Sequence, residues 1–177
     1  MKRWISVALI GSLLAGCQFI GTDRGDTAPP EIEDLGAPAP GVPERAERQV
    51  AFPEGEYAKL EKNGNAVLTG QLFVTTPSGQ TVYGANETVS VAPATTYTAE
   101  AAEAALAGKV LEKQDPRAQE YTHYAKTDDR GYFKVTGLPS GVFYVGGRVS
   151  VPGGKRHVII DQVRLSSGET AKITLDR

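Results

Sequence analysis

The chain has 177 residues, of which 19 are basic and 21 acidic, and its formal charge at neutral pH is −2. This balance argues against nucleic acid as a partner, because proteins that bind it concentrate positive charge. Cys17 is the only cysteine, which excludes an internal disulfide. The fold must therefore be stabilised by its hydrophobic core.

The first sixteen residues have the pattern of a secretory signal peptide. Lys2 and Arg3 precede an apolar run at 5–14, and two small residues follow it. The run is shorter than the roughly 20 residues that cross a bilayer, so a transmembrane helix is the weaker interpretation. Removal of residues 1–16 would take away two basic residues and no acids, leaving a formal charge of −4.

Leu14-Ala15-Gly16-Cys17, at the end of this segment, resembles the lipobox of bacterial lipoproteins. The resemblance implies that the Cys17 thiol carries a diacylglycerol and that the new N-terminus is acylated, for example with palmitate. Two or three such chains hold a protein on a membrane stably. Gln18 stands where Asp would favour inner-membrane retention, so the outer membrane is the expected address in a host with two membranes. The alternative is an ordinary signal peptide with a chance cysteine.

Residues 17–62 are predicted to form a lipidated cysteine followed by a proline-rich acidic linker. From residue 18 to residue 62 the chain has ten acids, five bases and six of the eleven prolines. Ordering such a segment costs conformational entropy that little apolar burial offsets. A flexible chain of this length would reach about 35 to 40 Å. The competing interpretation is that Phe52–Leu60 docks on the folded domain, since Pro53 can begin a helix.

Residues 63–177 are predicted to form an all-β sandwich of about seven strands. Short runs rich in Val, Thr, Tyr and Phe alternate there with turn residues, which is typical of strands joined by tight turns. Alternation places Phe133 and Val135 on one face, and Ile173 and Leu175 are likewise expected to be buried. The predicted strands are Ala66–Thr75, Glu87–Ala92, Glu120–Lys126, Tyr132–Thr136, Val142–Val151, Arg156–Leu165 and Thr170–Leu175.

The alanine-rich segment Thr98–Gly108 interrupts the strands and predicts one short inserted helix. Thr98 is expected to cap this helix, Gly108 to end it and Glu100 to lie in its first turn. Such a helix is either a binding element or a cover for an open edge of the sandwich. Its predicted packing face consists of Ala102, Ala105 and Leu106.

Four segments occur in order along the predicted sandwich: Leu68–Leu72, Gly84–Val91, Lys126–Phe133 and Gly137–Val145. Together they make most of residues 65–177 resemble the carboxypeptidase regulatory-like domain, a transthyretin-like (prealbumin-like) sandwich. The resemblance implies an accessory or ligand-presenting module rather than an enzyme. Within one matching segment, Asp128 can bond backbone groups two positions on and Gly131 can take a positive φ, which predicts a tight hairpin. The long excursion at 93–119, which contains the helix, departs from the usual pattern.

The sequence predicts no catalytic residue, metal ligand or cofactor. Its two histidines, His123 and His157, are not clustered with other possible ligands. The intradiol dioxygenases have a similar sandwich, but their iron is bound by two Tyr and by two His one residue apart, and Ile159 stands where the second His would be. The hydroxyisourate hydrolases end in Tyr-Arg-Gly-Ser, which Thr174–Arg177 does not match. A metal-dependent intradiol-type enzyme is kept as the alternative function.

The remaining features favour a lipid-anchored, non-enzymatic module for binding or assembly in the bacterial cell envelope, with a protein or polysaccharide partner. A purely structural role in the envelope is left open. The basic cluster of Lys155 and Arg156, with Arg148 nearby, could meet anionic headgroups, surface polysaccharide or an acidic partner. A separate exposed aromatic patch that grips sugar or protein could be formed by Tyr121, His123, Tyr124 and Tyr132. The possible partner-contact residues are Glu100, Glu103, Tyr121, Tyr124, Arg148, Lys155 and Arg156.

Overall fold

The computed structural model describes residues 45–177. The predicted signal peptide, the lipidation site Cys17 and the linker as far as residue 44 lie outside the described residues. No helix within 45–177 is long and apolar enough to cross a membrane. The elements in chain order are β1 (Arg45–Ala46), α1 (Glu54–Tyr57), β2 (Ala66–Thr75), β3 (Thr81–Tyr83), β4 (Thr88–Pro93), α2 (Thr96–Leu106), β5 (Val110–Leu111), α3 (Pro116–Gln119), β6 (His123–Lys126), β7 (Tyr132–Leu138), β8 (Gly141–Ser150), β9 (Arg156–Leu165) and β10 (Thr170–Leu175).

The first of two four-stranded sheets is organised around β2. Strand β10 runs parallel to β2, with Thr170 opposite Val67. Strand β7 runs antiparallel to it, with Phe133 opposite Gly70. The short strand β3 pairs antiparallel with the last three residues of β2. All three other strands of this sheet thus depend on β2 for their hydrogen bonds.

The second sheet has the order β6-β4-β8-β9, and all its neighbouring strands are antiparallel. Strands β8 and β9 form a long hairpin in which every residue has a partner. Ser90 on β4 lies between Tyr124 on β6 and Gly146 on β8. Because paired residues point to the same face of a sheet, these three share the outer face.

The inner faces of the two sheets enclose one hydrophobic core, which confirms the predicted all-β sandwich. Strands β2, β9 and β10 have the predicted bounds. Phe133 and Val135 are only 5% and 4% exposed, as alternation predicts, and Leu175 is fully buried, whereas Ile173 is partly buried. The fully buried large side chains are Leu68, Leu72, Leu138, Leu175, Val89, Val91, Val145 and Val149.

The predicted hairpin between β6 and β7 is present. The Asp128 Oδ1 atom accepts hydrogen bonds from the backbone N–H groups of Arg130 and Tyr132, each at 2.8 Å. Gly131 has a φ of +77°. The aspartate therefore fixes the turn by the local side-chain bonding expected from the sequence, and the turn directs Phe133 inward.

Helix α2 begins earlier than the sequence predicted. Its N-cap is Thr95, whose Oγ1 accepts from the Thr98 N–H at 3.2 Å, while the Thr98 Oγ1 accepts from the Thr95 N–H at 2.9 Å. Thr98 is thus the second half of a reciprocal capping box, and the prediction that it is the cap was wrong. Glu100 consequently lies beyond the first turn. Leu106 is 54% exposed, so its assignment to the packing face was also wrong.

Residues 45–62, which composition assigned to the linker, contact the sandwich. Helix α1 begins after Pro53, as the docking interpretation of this segment required. Strand β1 pairs in parallel with β5, with Arg45 opposite Val110. The segment also completes a second apolar cluster, whose members are Tyr57, Tyr97 and Ala118, with Val50, Phe52, Leu60 and Tyr121 packed against them.

A substitution at Gly131 tests the close approach of the β6–β7 turn to β2. A Cβ added there would lie 2.2 Å from the carbonyl oxygen of Leu72, at a φ of +77°. We expect Gly131→Ala to lower the free energy of unfolding by about 3 kcal/mol or more, because the clash is with backbone.

Gly79→Ala is the matched control, since Gly79 has a φ of +81° and nothing lies within 4 Å of its added Cβ. We expect Gly79→Ala to lower the free energy of unfolding by only about 1 kcal/mol, the cost of placing an alanine in a left-handed backbone conformation. Urea unfolding of the purified protein measures both variants. Equal losses would contradict the expected clash.

Candidate functional site

A groove lies between α2 and the outer face of the second sheet. It is open to solvent and encloses about 470 Å³, within the range of about 300 to 1,000 Å³ typical of small-ligand sites. Strands β4, β8 and β9 form its floor and α2 forms one wall. The other lining residues are Arg48, Glu87, Gln114, Thr122 and Tyr124. The inserted helix therefore covers a face of the sheet and creates a cavity there.

The floor of the groove follows one register row across three strands. Ser90 on β4 is paired with Gly146 on β8, which is paired with Ile160 on β9. A Cβ at Gly146 would lie 3.5 Å from both Ile160 Cγ1 and Ser90 Oγ, an ordinary van der Waals distance. A side chain would fit there sterically but would fill the floor, so glycine at this position keeps the groove deep.

Two tyrosines give the groove its aromatic character. Tyr124 lies across from Ser90 on β6 and is 57% exposed. Tyr144 lies on β8, between Ala92 on β4 and Gln162 on β9, and is half-buried. Each side chain presents a flat apolar ring with a polar hydroxyl at its tip. The groove can thus offer both stacking and hydrogen bonding.

Helix α2 faces the groove mainly with alanines, namely Ala101, Ala102 and Ala105. These small side chains leave space between the helix and the sheet. The helix start is held from outside the sandwich by Glu56 of α1, whose carboxylate accepts from the Thr96 N–H at 3.0 Å and from the Thr96 hydroxyl at 2.7 Å. Both hydrogen bonds lower the pKa of the Glu56 carboxyl group.

The chain before α1 holds the same helix through Glu100. The Glu100 carboxylate accepts from the backbone N–H groups of Gln49, at 2.5 Å, and Val50, at 3.4 Å. It also pairs with Arg48 at 3.5 Å, and the Arg48 guanidinium lies 4.0 Å from the centre of the Tyr97 ring. We call Arg48, Gln49, Val50 and Glu100 the latch. Since Arg48 and Tyr97 both line the groove, the latch forms part of its wall.

The second apolar cluster supports the latch and the helix start. The Tyr57 hydroxyl accepts from the Thr95 hydroxyl at 3.4 Å, and burial raises the pKa of Tyr57. Arg117 stacks over Phe52 at 4.1 Å and bonds Asp115 at 2.9 Å, which holds the pKa of the Asp115 carboxyl group below its usual value. These residues do not line the groove; they pack behind the elements that form its wall.

The structure brings only some of the predicted contact residues together. Tyr124 and Arg148 both line the groove. Glu100 belongs to the latch, and Tyr121 packs edge-to-face on Tyr57, with ring centres 5.0 Å apart. The residues that lie outside the groove and are exposed to solvent are Glu103 on α2, Lys155 in the β8–β9 turn and Arg156 at the start of β9.

Sequence reasoning did not assign Tyr144 to the site, and of the latch it named only Glu100. Tyr144 lies in a predicted strand, and alternation alone could have placed it on the outer face, but nothing in the sequence shows that α2 covers that face. Arg48 lies in a segment whose composition resembles a linker. Its role depends on contacts with Tyr97 and Glu100, about fifty residues away in the chain.

The histidines are placed apart from the groove lining. His123 Nε2 lies 2.9 Å from the Lys62 carbonyl oxygen, and His157 is half-buried on β9. Within residues 45–177 no group of three or more His, Cys, Asp or Glu side chains is arranged to hold a metal ion.

Two other hollows have less suitable linings. One of about 650 Å³ is lined only by residues of and beside β1 and β5, without an aromatic side chain. Another, of about 230 Å³, lies between the α1 end and the β7–β8 turn. The groove under α2 combines walls from several elements with aromatic, polar and charged side chains, so it is the candidate site.

A β-sandwich with one aromatic-lined groove on its outer face has the architecture of a binding or assembly module. The comparison with solved structures agrees. A candidate carbohydrate-binding protein from Pseudomonas aeruginosa, PA1324, matches with 30% identity and a TM-score of 0.57, over 71% of this chain and 97% of that protein. This chain belongs to the same family as that protein.

Two further solved structures are much more distant. The minor pilin GBS52 of Streptococcus agalactiae has 14% identity and a TM-score of 0.38, over 64% of this chain and 44% of the pilin. Chlorocatechol 1,2-dioxygenase from Pseudomonas putida has 12% identity and a TM-score of 0.31, over 78% and 68% of the two chains. At these values neither says anything about function. No protein-family model and no curated protein matches the chain.

Removal of the latch carboxylate should loosen the segment before α1. In Glu100→Ala, the Gln49 and Val50 N–H groups lose their acceptor, so we expect their hydrogen-exchange protection to fall by about tenfold or more. Native-state hydrogen exchange measures this directly. Glu103→Ala is the matched control, because Glu103 is an exposed acid on the same helix. Unchanged protection in Glu100→Ala would show that the latch does not hold this segment.

Proposed function

We propose that this chain is a non-enzymatic carbohydrate-binding module of the bacterial cell envelope. The observation that carries the proposal is the groove under α2, which is lined by the rings of Tyr124 and Tyr144 together with several hydrogen-bonding side chains. The family relationship to a candidate carbohydrate-binding protein supports the same ligand class.

The chemistry of a sugar ring matches this lining. A pyranose has apolar C–H faces and a rim of hydroxyl groups, so it is bound by flat aromatic rings together with hydrogen-bonding side chains. The tyrosine rings supply the first, and Ser90, Thr88 and Gln114 supply the second. The absence of a side chain at Gly146 leaves room for a ring to lie on the sheet.

Replacement of the groove tyrosines tests the proposal. We expect Tyr124→Ala and Tyr144→Ala each to weaken oligosaccharide binding roughly tenfold, because each removes a stacking surface worth about 1 to 2 kcal/mol. A glycan array with the purified protein identifies ligands, and titration calorimetry measures the affinities.

Tyr132→Ala is the matched control, since Tyr132 is 48% exposed but lies on β7 in the other sheet. Its affinity should equal that of the unmodified protein. Absence of any glycan ligand would refute the proposal and would favour the structural role in the envelope. Metal-dependent turnover of a substrate would favour the intradiol-type alternative instead.

The anchoring part of the proposal comes from the sequence. The lipobox at Leu14–Cys17 supports a lipid on Cys17, and Gln18 supports the outer membrane where the host has one. Three acyl chains would hold the module on the envelope without a transmembrane helix. The carboxypeptidase regulatory-like resemblance belongs to the same proposal, as an accessory module presented by a tether.

Cell fractionation tests the anchor. The unmodified chain should be recovered with membranes, whereas Cys17→Ala should be recovered as soluble or uncleaved precursor, because it has no thiol to accept a diacylglycerol. Gln18→Asp keeps the thiol and serves as the control; it should stay on membranes and, in a host with two membranes, move to the inner one. Lipid labelling of Cys17→Ala equal to that of the unmodified chain would contradict the anchor.

A further inference from the structure

We infer that the carbohydrate bound in the groove carries carboxylate groups, and that Arg148 is the residue that recognises them. The inference rests on the proposed function and goes beyond it by naming the charge class of the ligand. Arg148 lines the groove and is exposed to solvent.

The charged residues that the four strands of the second sheet place on its outer face are all basic. Register pairing assigns alternate residues of β6, β4, β8 and β9 to this face. No acidic residue of these four strands belongs to that set. The charged residues that do are Lys126, Arg148, Arg156 and Arg164.

Register places two of these cations on either side of Thr88, and Arg148 is the one of the two that lines the groove. Lys126 is paired with Thr88, which lines the groove. Arg148 lies one register step beyond the Ser90–Gly146 pair, on the other side of Thr88. Cross-strand neighbours have Cβ atoms about 5 Å apart, so both positive groups can reach a ligand above Thr88.

Arg148 is available to a ligand, whereas the other groove arginine is not. Arg48 is paired with Glu100 in the latch. Arg148 forms no ion pair with any of the described residues. Its planar guanidinium group suits a carboxylate, which it can bind through two parallel hydrogen bonds.

One acidic side chain opposes this preference. Glu87 lines the groove immediately before β4. It leaves the groove less positive than the strands alone would make it, so its removal should strengthen the binding of an anionic ligand. Replacing Arg148 or Glu87 with a neutral side chain of similar size should therefore change the affinity for an anionic ligand in opposite directions.

The experiment compares oligogalacturonate with its fully methyl-esterified form, which keeps the sugar and removes the charge. Titration calorimetry of the purified protein should show tighter binding of the free acid, and that preference should decrease as salt is added. Arg148→Gln should weaken acid binding by about tenfold or more and leave the ester unaffected. Glu87→Gln should strengthen acid binding. Arg164→Gln is the matched control, because this residue shares the face but does not line the groove.

The outcomes separate this inference from the proposed function. Equal binding of acid and ester, with loss in Tyr144→Ala, would overturn the inference and leave a neutral-sugar module. Binding of neither sugar, together with a glycan array without any ligand, would overturn both. Arg148-dependent binding of vesicles that contain phosphatidylglycerol, without sugar binding, would assign the positive end to lipid and would likewise overturn the inference.

Discussion

The packing of Leu72 is the constraint on which both sides of the second sheet depend. This residue is fully buried: Gly84 and Gly147 lie against its side chain, and Gly131 lies against its backbone. A Cβ at Gly84 or Gly147 would lie 2.5 Å or 2.8 Å from Leu72 Cδ2. The sheets therefore pack this closely only where side chains are absent. The preceding residue, Gly146, faces outward and keeps the groove floor low, so one pair of glycines in β8 serves both the core and the site.

The groove is built by the chain before the sandwich as much as by the sandwich itself. The outer sheet face supplies its floor, but α2 is held in place by Glu56 at its start and by Glu100 in the latch. The two contacts are reciprocal. Glu56 of α1 accepts from Thr96 of α2, whereas Glu100 of α2 accepts from Gln49, which precedes α1. The segment 45–62 is thus part of the site.

The sequence predicted the sandwich well because alternation and turn chemistry are local signals. Asp128 and Gly131 define their hairpin within four residues, and the strand containing Phe133 shows its buried face directly. The two-residue strands β1 and β5 are too short to show any periodicity. The role of Arg48 could not be predicted for a different reason, because its partners are about fifty residues away in the chain. In addition, the acidic, proline-rich composition of its segment predicts a linker, and composition does not show whether a few aromatic residues dock on the domain. Tyr124 and Arg148 were found individually, but only the register of β6, β4 and β8 places them in one groove.

The parallel pairing of β2 with β10 has a consequence for how the domain folds. The Thr69 hydroxyl donates a hydrogen bond to the Ala171 carbonyl oxygen, and these residues are 102 positions apart in the chain. The central strand β2 therefore lacks one of its neighbours until β10, the last described strand, pairs with it. Contacts of such sequence separation form slowly, and until they form one edge of β2 is open to association with other chains. The first sheet is therefore complete only when Thr170–Leu175 has joined β2, so one short segment late in the described chain closes an edge that is otherwise free to pair with another strand.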